Sequence, residues 1–221
     1  MIPRELLATA TVPGGGEQLR LFRRGADYMI VLDRNELMNS RMSGSEEALA
    51  QLTIERLGKR DAHLLIGGYG MGFTLRASCA ALSLNGKMTV VELVPEVVEW
   101  ARDHMAEMTG NALDDPRVEL VIGDVADSMS AVKYDAILLD VDNGPDGLTR
   151  AANNQLYSPR GLAAAKAALK SGGILAIWSA ASDRAFTRRL SDAGFAVEEM
   201  TLAARSNGKG PRHTIWFATK R

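Results

Sequence analysis

The spacing of apolar residues changes after residue 43 and divides the chain into two parts. Before it, short runs such as "EQLRLFRRG" and "DYMIVLD" are separated by glycine, a pattern typical of small antiparallel strands. Beyond it, near-continuous apolar runs alternate with helical patterns, as in a parallel sheet covered on both faces. We therefore predict an N-terminal β appendage in residues 1–43 and a main α/β domain in residues 44–221.

The main domain is predicted to open with a helix. Ser43 and Glu46 have the spacing of a capping box, Ala48, Leu49, Leu52 and Leu57 form an apolar face, and Gly58 is a plausible stop.

Seven strands are predicted after this helix, with helices between most of them. The last strand follows a loop too short for a crossover helix, so it must run antiparallel to its predecessor. A mostly parallel seven-stranded sheet with a reversed last strand is the pattern of the methyltransferase-type Rossmann fold. The predicted strands are "HLLIG", "KMTVVEL", "VELVIG", "YDAILLDV", "ILAIWSA", residues 195–203 and "RHTIWFATK".

The composition is that of an ordinary globular protein, with 46% apolar and 24% charged residues among 221. The net charge of −1 provides no field that favours nucleic acid or anionic membranes. A single cysteine, Cys79, fits a reducing compartment. Neither a signal-peptide pattern nor a bilayer-length apolar run is present. We expect a cytoplasmic protein without nucleic-acid or membrane partners.

The first main-domain strand runs into a glycine-rich turn, "GGYGMG". Ligands of open α/β sheets bind beyond the carboxyl ends of the strands. The G-x-G-x-G spacing differs from the G-x-G-x-x-G of dinucleotide sites, which counts against NAD. We interpret the missing Cβ atoms as room for an adenosine and a charged tail; a purely structural tight turn is the alternative. The predicted cofactor-binding residues here are Gly67, Gly68, Tyr69, Gly70 and Gly72.

Acidic residues end the next three strands. Glu92, beside Leu93, lies about 20 residues beyond the turn, where an acid chelates ribose hydroxyls. Asp124 is placed to accept from an adenine amino group, with the Val125 N–H facing a ring nitrogen. Asp140 ends the fourth strand. Any one of these acids can simply cap a helix, but together they predict an adenosine-type site.

These segments carry a family resemblance. "LLIGGYGMGFTLRA", "TVVELVPEVVEWAR" and especially "DDPRVELVIGDVADSM" resemble spermidine synthases, the polyamine aminopropyltransferases. The resemblance implies a core that binds S-adenosylmethionine, its decarboxylated form or methylthioadenosine, and a homodimer formed through the N-terminal strands. It implies that Glu92 holds the ribose, that Asp124 and Val125 hold the adenine, and that Asp140 is the proton acceptor.

The chain departs from that family mainly where the amine is held. Tyr69, Gly70 and Met71 replace the centre of the family's G-G-G-D-G-G turn and remove its aspartate. Asn143 replaces the second aspartate of the family's D-S-S-D, and Leu37 replaces a glutamine. The family's tyrosine–histidine–glutamate before the core reads "SEE".

A polyamine is a multivalent cation that needs several carboxylates, so these losses favour methyl transfer to a small-molecule acceptor. Aminopropyl transfer to a polyamine and a non-catalytic nucleoside-binding relative are the alternatives. Asp140 is the predicted catalytic proton acceptor, with Asp142 in reserve.

Three further expectations concern metal binding, a basic segment and the packing of the appendage. His63, His104 and His213 have no usual metal spacing, so no metal is expected. The segment 204–213, with its basic residues and His213, is predicted to be a solvated loop. Met38 is predicted to pack the appendage against the core.

Overall fold

The protein is described by a computed structural model over residues 2–130, 133–141 and 153–221. Asp142, the reserve proton acceptor, and Asn143 lie outside the described residues.

The N-terminal part forms a four-stranded antiparallel sheet with its strands in chain order. Its two inner strands carry most of the buried apolar residues, with four consecutive ones at Met29–Leu32. The appendage predicted from the short alternating runs is therefore confirmed as a separate small sheet. Its strands are β1 (Glu5–Thr11), β2 (Gln18–Arg24), β3 (Asp27–Leu32) and β4 (Asn35–Asn39).

The main sheet has seven strands. They are β5 (His63–Gly67), β6 (Lys87–Glu92), β7 (Val118–Ile122), β8 (Tyr134–Leu139), β9 (Leu169–Ser179), β10 (Phe195–Ala203) and β11 (Arg212–Lys220). Their order across the sheet is β10-β11-β9-β8-β5-β6-β7. Only β11 runs against its neighbours, since it pairs antiparallel with both β9 and β10. This confirms the methyltransferase-type Rossmann prediction, reversed last strand included.

Helices cover both faces of this sheet. The helices are α1 (Gly44–Leu57), α2 (Phe73–Ala81), α3 (Pro95–Arg102), α4 (Ala106–Thr109), α5 (Val125–Ser128), α6 (Asn153–Leu156), α7 (Pro159–Ala168) and α8 (Arg184–Asp192), with a 3₁₀ turn at Ala112–Asp114.

Helix α1 begins and ends for different reasons. Gly58 ends it in the left-handed conformation, as predicted. The capping box predicted at its start is wrong, because Ser43 makes no side-chain cap bond. Glu46 instead accepts a hydrogen bond from the Ser45 hydroxyl and is buried. The buried face of α1 accordingly includes Ser45 and Glu46 together with Leu49.

The strand order reverses direction at β5. From β5 the chain proceeds outward through β6 and β7, and then returns to build β8 and β9 on the other side. Such a reversal opens a crevice at the carboxyl ends of the strands, because the connecting helices diverge there. Within the described ranges, no helix combines the length and apolarity needed to cross a bilayer.

The appendage and the main sheet share a hydrophobic core. Leu21 of β2 and Ile30 of β3 belong to the same buried cluster as Leu64 of β5 and Leu138 of β8. The division of the chain into two domains between residues 43 and 44 stays a prediction, since the two sheets pack into one core.

The shared core predicts that the two sheets unfold together. Leu21 has no exposed surface, so Leu21→Ala should reduce the free energy of unfolding by about 2–5 kcal/mol in a single urea transition. Leu84 is 90% exposed, and Leu84→Ala as control should change it by less than about 0.5 kcal/mol. Two separate transitions, with only the first shifted by Leu21→Ala, would contradict a shared core.

Candidate active site

A cavity of about 170 Å³ lies at the carboxyl ends of β5 to β8. Among the predicted site residues, its lining includes Gly68, Gly70, Glu92, Leu93, Asp124, Val125 and Asp140. The opposite wall is apolar and comes from the appendage. It consists of Val12, Leu19, Ile30, Leu32, Leu37 and Met38. The cavity is therefore built between the two sheets, and Met38 lines it besides packing the appendage.

The glycine turn owes its composition to neighbouring protein atoms. A Cβ on Gly68, which has φ of 86°, would lie 2.4 Å from the Asp140 carbonyl oxygen. A Cβ on Gly67 would lie 2.8 Å from a Val125 methyl group. Our interpretation of these missing Cβ atoms as ligand volume is therefore wrong for Gly67 and Gly68, because the turn packs directly against β8 and α5.

Tyr69 and Gly72 form a packed pair behind the cavity. The Tyr69 ring lies over Gly72, where a Cβ would be 2.8 Å from the phenol oxygen. Burial raises the pKa of Tyr69 to about 12. The Tyr69 side chain therefore fills space beneath the turn, and the described lining includes neither it nor Gly67 or Gly72. A ligand role for these three residues stays a prediction.

Glu92 ties the end of β6 to the glycine turn. One carboxylate oxygen accepts from the N–H of Tyr69 (2.9 Å) and Gly70 (3.4 Å), and the other accepts from the Val94 N–H (2.9 Å). Burial raises the pKa of Glu92, and these N–H donors oppose the rise. Glu92 thus shapes the turn and lines the cavity at the same time.

Asp124 caps a helix at the edge of the cavity, and its contact with adenine stays a prediction. Its Oδ1 accepts from the Ala126 N–H at 2.9 Å and caps α5. The residue is exposed and lines the cavity beside buried Val125. The helix cap therefore places the carboxylate at the cavity edge.

Two further carboxyls meet the cavity, one expected and one missed. The Asp140 Oδ2 accepts from the Thr74 hydroxyl at 2.8 Å. Glu46 enters from α1 and accepts from the Ser45 hydroxyl at 2.6 Å. Burial raises the pKa of both carboxyls, and the charge of Asp140 raises that of Glu46 further. The overlooked signal was that Glu46 stands three and four residues before Leu49 and Ala50, on the buried face of α1.

These two carboxyls differ from Asp135, another buried acid of the sheet. Lys59 and Lys170 each lie 2.8 Å from Asp135 at the opposite end of the strands. Burial alone would raise the pKa of Asp135, but the His63 N–H and the two lysines lower it to about 2. In the described part of the chain, no cation pairs with Glu46 or Asp140, and the cavity lining contains no Lys, Arg or His.

Ser45 links Glu46 to two aromatic side chains. The Trp178 indole N–H donates to the Ser45 oxygen at 3.0 Å, and His213 Nδ1 lies 2.8 Å from the same oxygen. His213 is buried on β11 and packs edge-on against Trp178. The prediction of a solvated loop is wrong for His213, because β11 already begins at Arg212.

No metal site is visible in the parts of the chain that the structure describes, where no three His, Cys, Asp or Glu side chains converge.

The fold and this acidic cavity define a methyltransferase-type Rossmann protein with a small-molecule site at its switch point. The sequence matches the spermine/spermidine synthase domain family over residues 42–186, more than half of the chain. The chain therefore belongs to the spermine/spermidine synthase family, as the resemblance indicated.

Curated relatives are polyamine aminopropyltransferases. The chain is 36% identical to polyamine aminopropyltransferase 2 of Hyperthermus butylicus over 146 residues, which cover 63% of this chain and 43% of that protein. It is 30% identical to the polyamine aminopropyltransferase of Aeropyrum pernix over 154 residues, covering 68% and 48% respectively. The matches thus span less than half the length of these relatives.

Solved structures share the fold. A spermidine synthase in complex with the transition-state analogue AdoDATO superposes with a TM-score of 0.75 at 20% identity, covering 98% of this chain and 73% of that one. The spermidine synthase from Thermotoga maritima gives the same values. At this identity the likeness concerns the fold.

The two buried carboxyls predict a specific pH dependence of stability. An ordinary Glu carboxyl loses its proton near 4.5, whereas the raised pKa values keep Glu46 and Asp140 protonated to higher pH in the folded chain. The free energy of unfolding should therefore fall as the pH rises from that value through neutrality. Urea denaturation at a series of pH values measures the fall.

Glu46→Gln removes one of these titrations and should make the fall shallower. Glu55→Gln, at an exposed position of the same helix, is the matched control and should keep the wild-type slope. A wild-type stability that is flat over this range would show that neither carboxyl retains its proton on folding.

Proposed function

We propose that this protein transfers an aminopropyl group from decarboxylated S-adenosylmethionine to an amine acceptor. The observation that carries the proposal is a described cavity lining with four carboxylates and no basic side chain. Such a site favours a ligand with a sulfonium and an ammonium over one that also bears a carboxylate. Membership of the spermine/spermidine synthase family supports the same reaction.

The nucleoside would lie at the glycine turn. Glu92 Oε2 accepts two N–H bonds and Oε1 accepts one, which leaves a lone-pair direction on Oε1 for a ribose hydroxyl. Asp124 and the Val125 N–H would contact the adenine, and Leu93 and Val97 provide apolar surface for the ring. The glycine turn would then set the shape of the nucleoside site, and the acids would fix the orientation of the nucleoside.

Methyl transfer from intact S-adenosylmethionine is less supported. The carboxylate of that molecule needs donors, yet Glu92 already engages the N–H groups of Tyr69 and Gly70. We preferred methyl transfer from the sequence because the family's amine-binding acids are depleted. That prediction was made without Glu46 as a site acid, which α1 brings to the same cavity.

The reaction needs alignment and removal of one proton. The acceptor amine attacks the methylene carbon next to sulfur; the new C–N bond forms as the C–S bond breaks, and methylthioadenosine leaves. The attacking nitrogen gives up one proton, for which Asp140 is the proposed acceptor. The apolar wall from the appendage excludes water from the reacting atoms. A homodimer and a cytoplasmic location, without nucleic-acid partners, remain predictions.

Product analysis tests the proposed reaction. Purified protein incubated with a panel of linear diamines and triamines should release methylthioadenosine from decarboxylated S-adenosylmethionine and leave intact S-adenosylmethionine unchanged. Mass spectrometry of the amines should show the added aminopropyl group. A methylated product formed from intact S-adenosylmethionine would instead establish methyl transfer, and tight binding without any turnover would establish the non-catalytic alternative.

Asp140→Asn should separate catalysis from binding. Loss of the proton acceptor should lower kcat by about 10²- to 10⁴-fold, while the Kd for methylthioadenosine stays within about twofold. Asp183→Asn is the matched control, because asparagine can replace aspartate as the N-cap of α8 and position 183 lies outside the site. An unchanged kcat in Asp140→Asn would remove this residue from the mechanism.

A further inference from the structure

The Ser45 hydroxyl is the junction of a buried polar chain beside the cavity. Trp178 Nε1, Glu46 Oε2 and His213 Nδ1 lie 3.0, 2.6 and 2.8 Å from its oxygen. Ser45 has no exposed surface, and His213 retains only 7%. Bulk water therefore does not substitute for any of these partners.

The hydrogen-bonding capacity of a hydroxyl constrains this junction. Ser45 has one hydrogen to donate and two lone pairs to accept with, and the Trp178 indole can only donate. The single Ser45 hydrogen must therefore point to either Glu46 or His213, and the remaining partner must donate to Ser45. The protonation of Glu46 and the tautomer of His213 are consequently linked.

Two arrangements satisfy every atom. When Glu46 is ionised, Ser45 donates to it and His213 donates from Nδ1. When Glu46 is protonated, it donates to Ser45, which donates to a bare Nδ1, and His213 then carries its hydrogen on Nε2. The two arrangements differ by one proton, which enters or leaves the chain at Nε2.

The surroundings of Glu46 favour its neutral form when no ligand is bound. Asp140 at the end of β8 and Glu47 on the same helix both add repulsion, and Thr74 of α2 and Trp178 of β9 are neutral. Burial also lowers the pKa of His213, so the imidazole does not store the proton. His213 follows the exposed segment 206–212 in the sequence and retains 7% of its own exposure.

We propose that Ser45 and His213 form a proton path to Glu46, which is neutral in the empty cavity and ionises when an ammonium group binds beside it. This inference rests on the proposed function for the identity of the ammonium ligand. On binding, the Glu46 proton passes to the Ser45 oxygen, the Ser45 hydrogen passes to His213 Nδ1, and the Nε2 hydrogen leaves to solvent. Product release reverses the same steps, so the path resets in each cycle.

The first experiment needs no ligand. Nitrogen-15 NMR of the histidine rings, followed as the pH is raised, should show His213 changing from the Nε2–H to the Nδ1–H tautomer as Glu46 ionises. Ser45→Ala should abolish this change. Glu46→Gln should leave His213 in one tautomer throughout, because the amide does not titrate. His63, which bonds Thr89 at the other end of the sheet, is the internal control.

A wild-type His213 that keeps one tautomer across the range would overturn the proposed path, as would a Ser45→Ala protein that still switches.

The second experiment adds ligands. Calorimetry near neutral pH in phosphate and in Tris should detect release of up to about one proton when decarboxylated S-adenosylmethionine binds. Methylthioadenosine, which has no ammonium group, should release none, and Glu46→Gln should abolish the release. Equal proton release with both ligands would overturn the role of Glu46 as the ammonium partner. Failure of decarboxylated S-adenosylmethionine to bind would count against the proposed function, whereas the tautomer experiment tests the path by itself.

Discussion

The site depends on one constraint: within the described lining, its carboxyl groups have no positively charged side chain as a partner. Glu46 is buried and Asp140 is partly buried at the switch point of the sheet, and the described lining offers them no lysine or arginine. Burying a carboxylate without compensation is costly, so each is held by a hydroxyl and its pKa is raised. In the proposed reaction a cationic ligand would supply the missing charge, which would make binding and ionisation one process.

The charge of another buried acid, Asp135, is compensated by side chains of the protein itself. Asp135 sits at the amino ends of the strands with two lysines, and its role is to hold β5, β8 and β9 together. The contrast separates a structural acid from a site acid by the presence of a built-in partner. It also explains why the carboxyls with raised pKa values lie at the carboxyl ends of the strands, where the crevice is open to a ligand.

Much of this architecture could be predicted from the sequence because it follows from local patterns. Near-continuous apolar runs identified the strands of the main sheet, and the short loop before "RHTIWFATK" required an antiparallel end. Acids at strand ends pointed to the cavity, which Glu92, Asp124 and Asp140 line. These features depend on residues close together in the chain.

Contacts between distant segments were not predictable in this way. Glu46 matched a capping box, and only its packing against the ends of β8 and β9 shows that it faces the cavity. His213 belonged to a run of basic residues, and its partner Ser45 lies 168 positions away in the sequence. Likewise, the glycines of the turn make room for Val125 and the Asp140 carbonyl, atoms that no local motif reveals.

The wall that β3 and β4 contribute has a consequence for how this protein can diversify. Leu37 and Met38 lie on a hairpin strand that makes no part of the glycine turn or of the acids at the strand ends. Met38 reaches across to Gly70 with an unbranched, adaptable side chain. Exchanges at these two positions can therefore resize this side of the cavity without changing the acids at the strand ends.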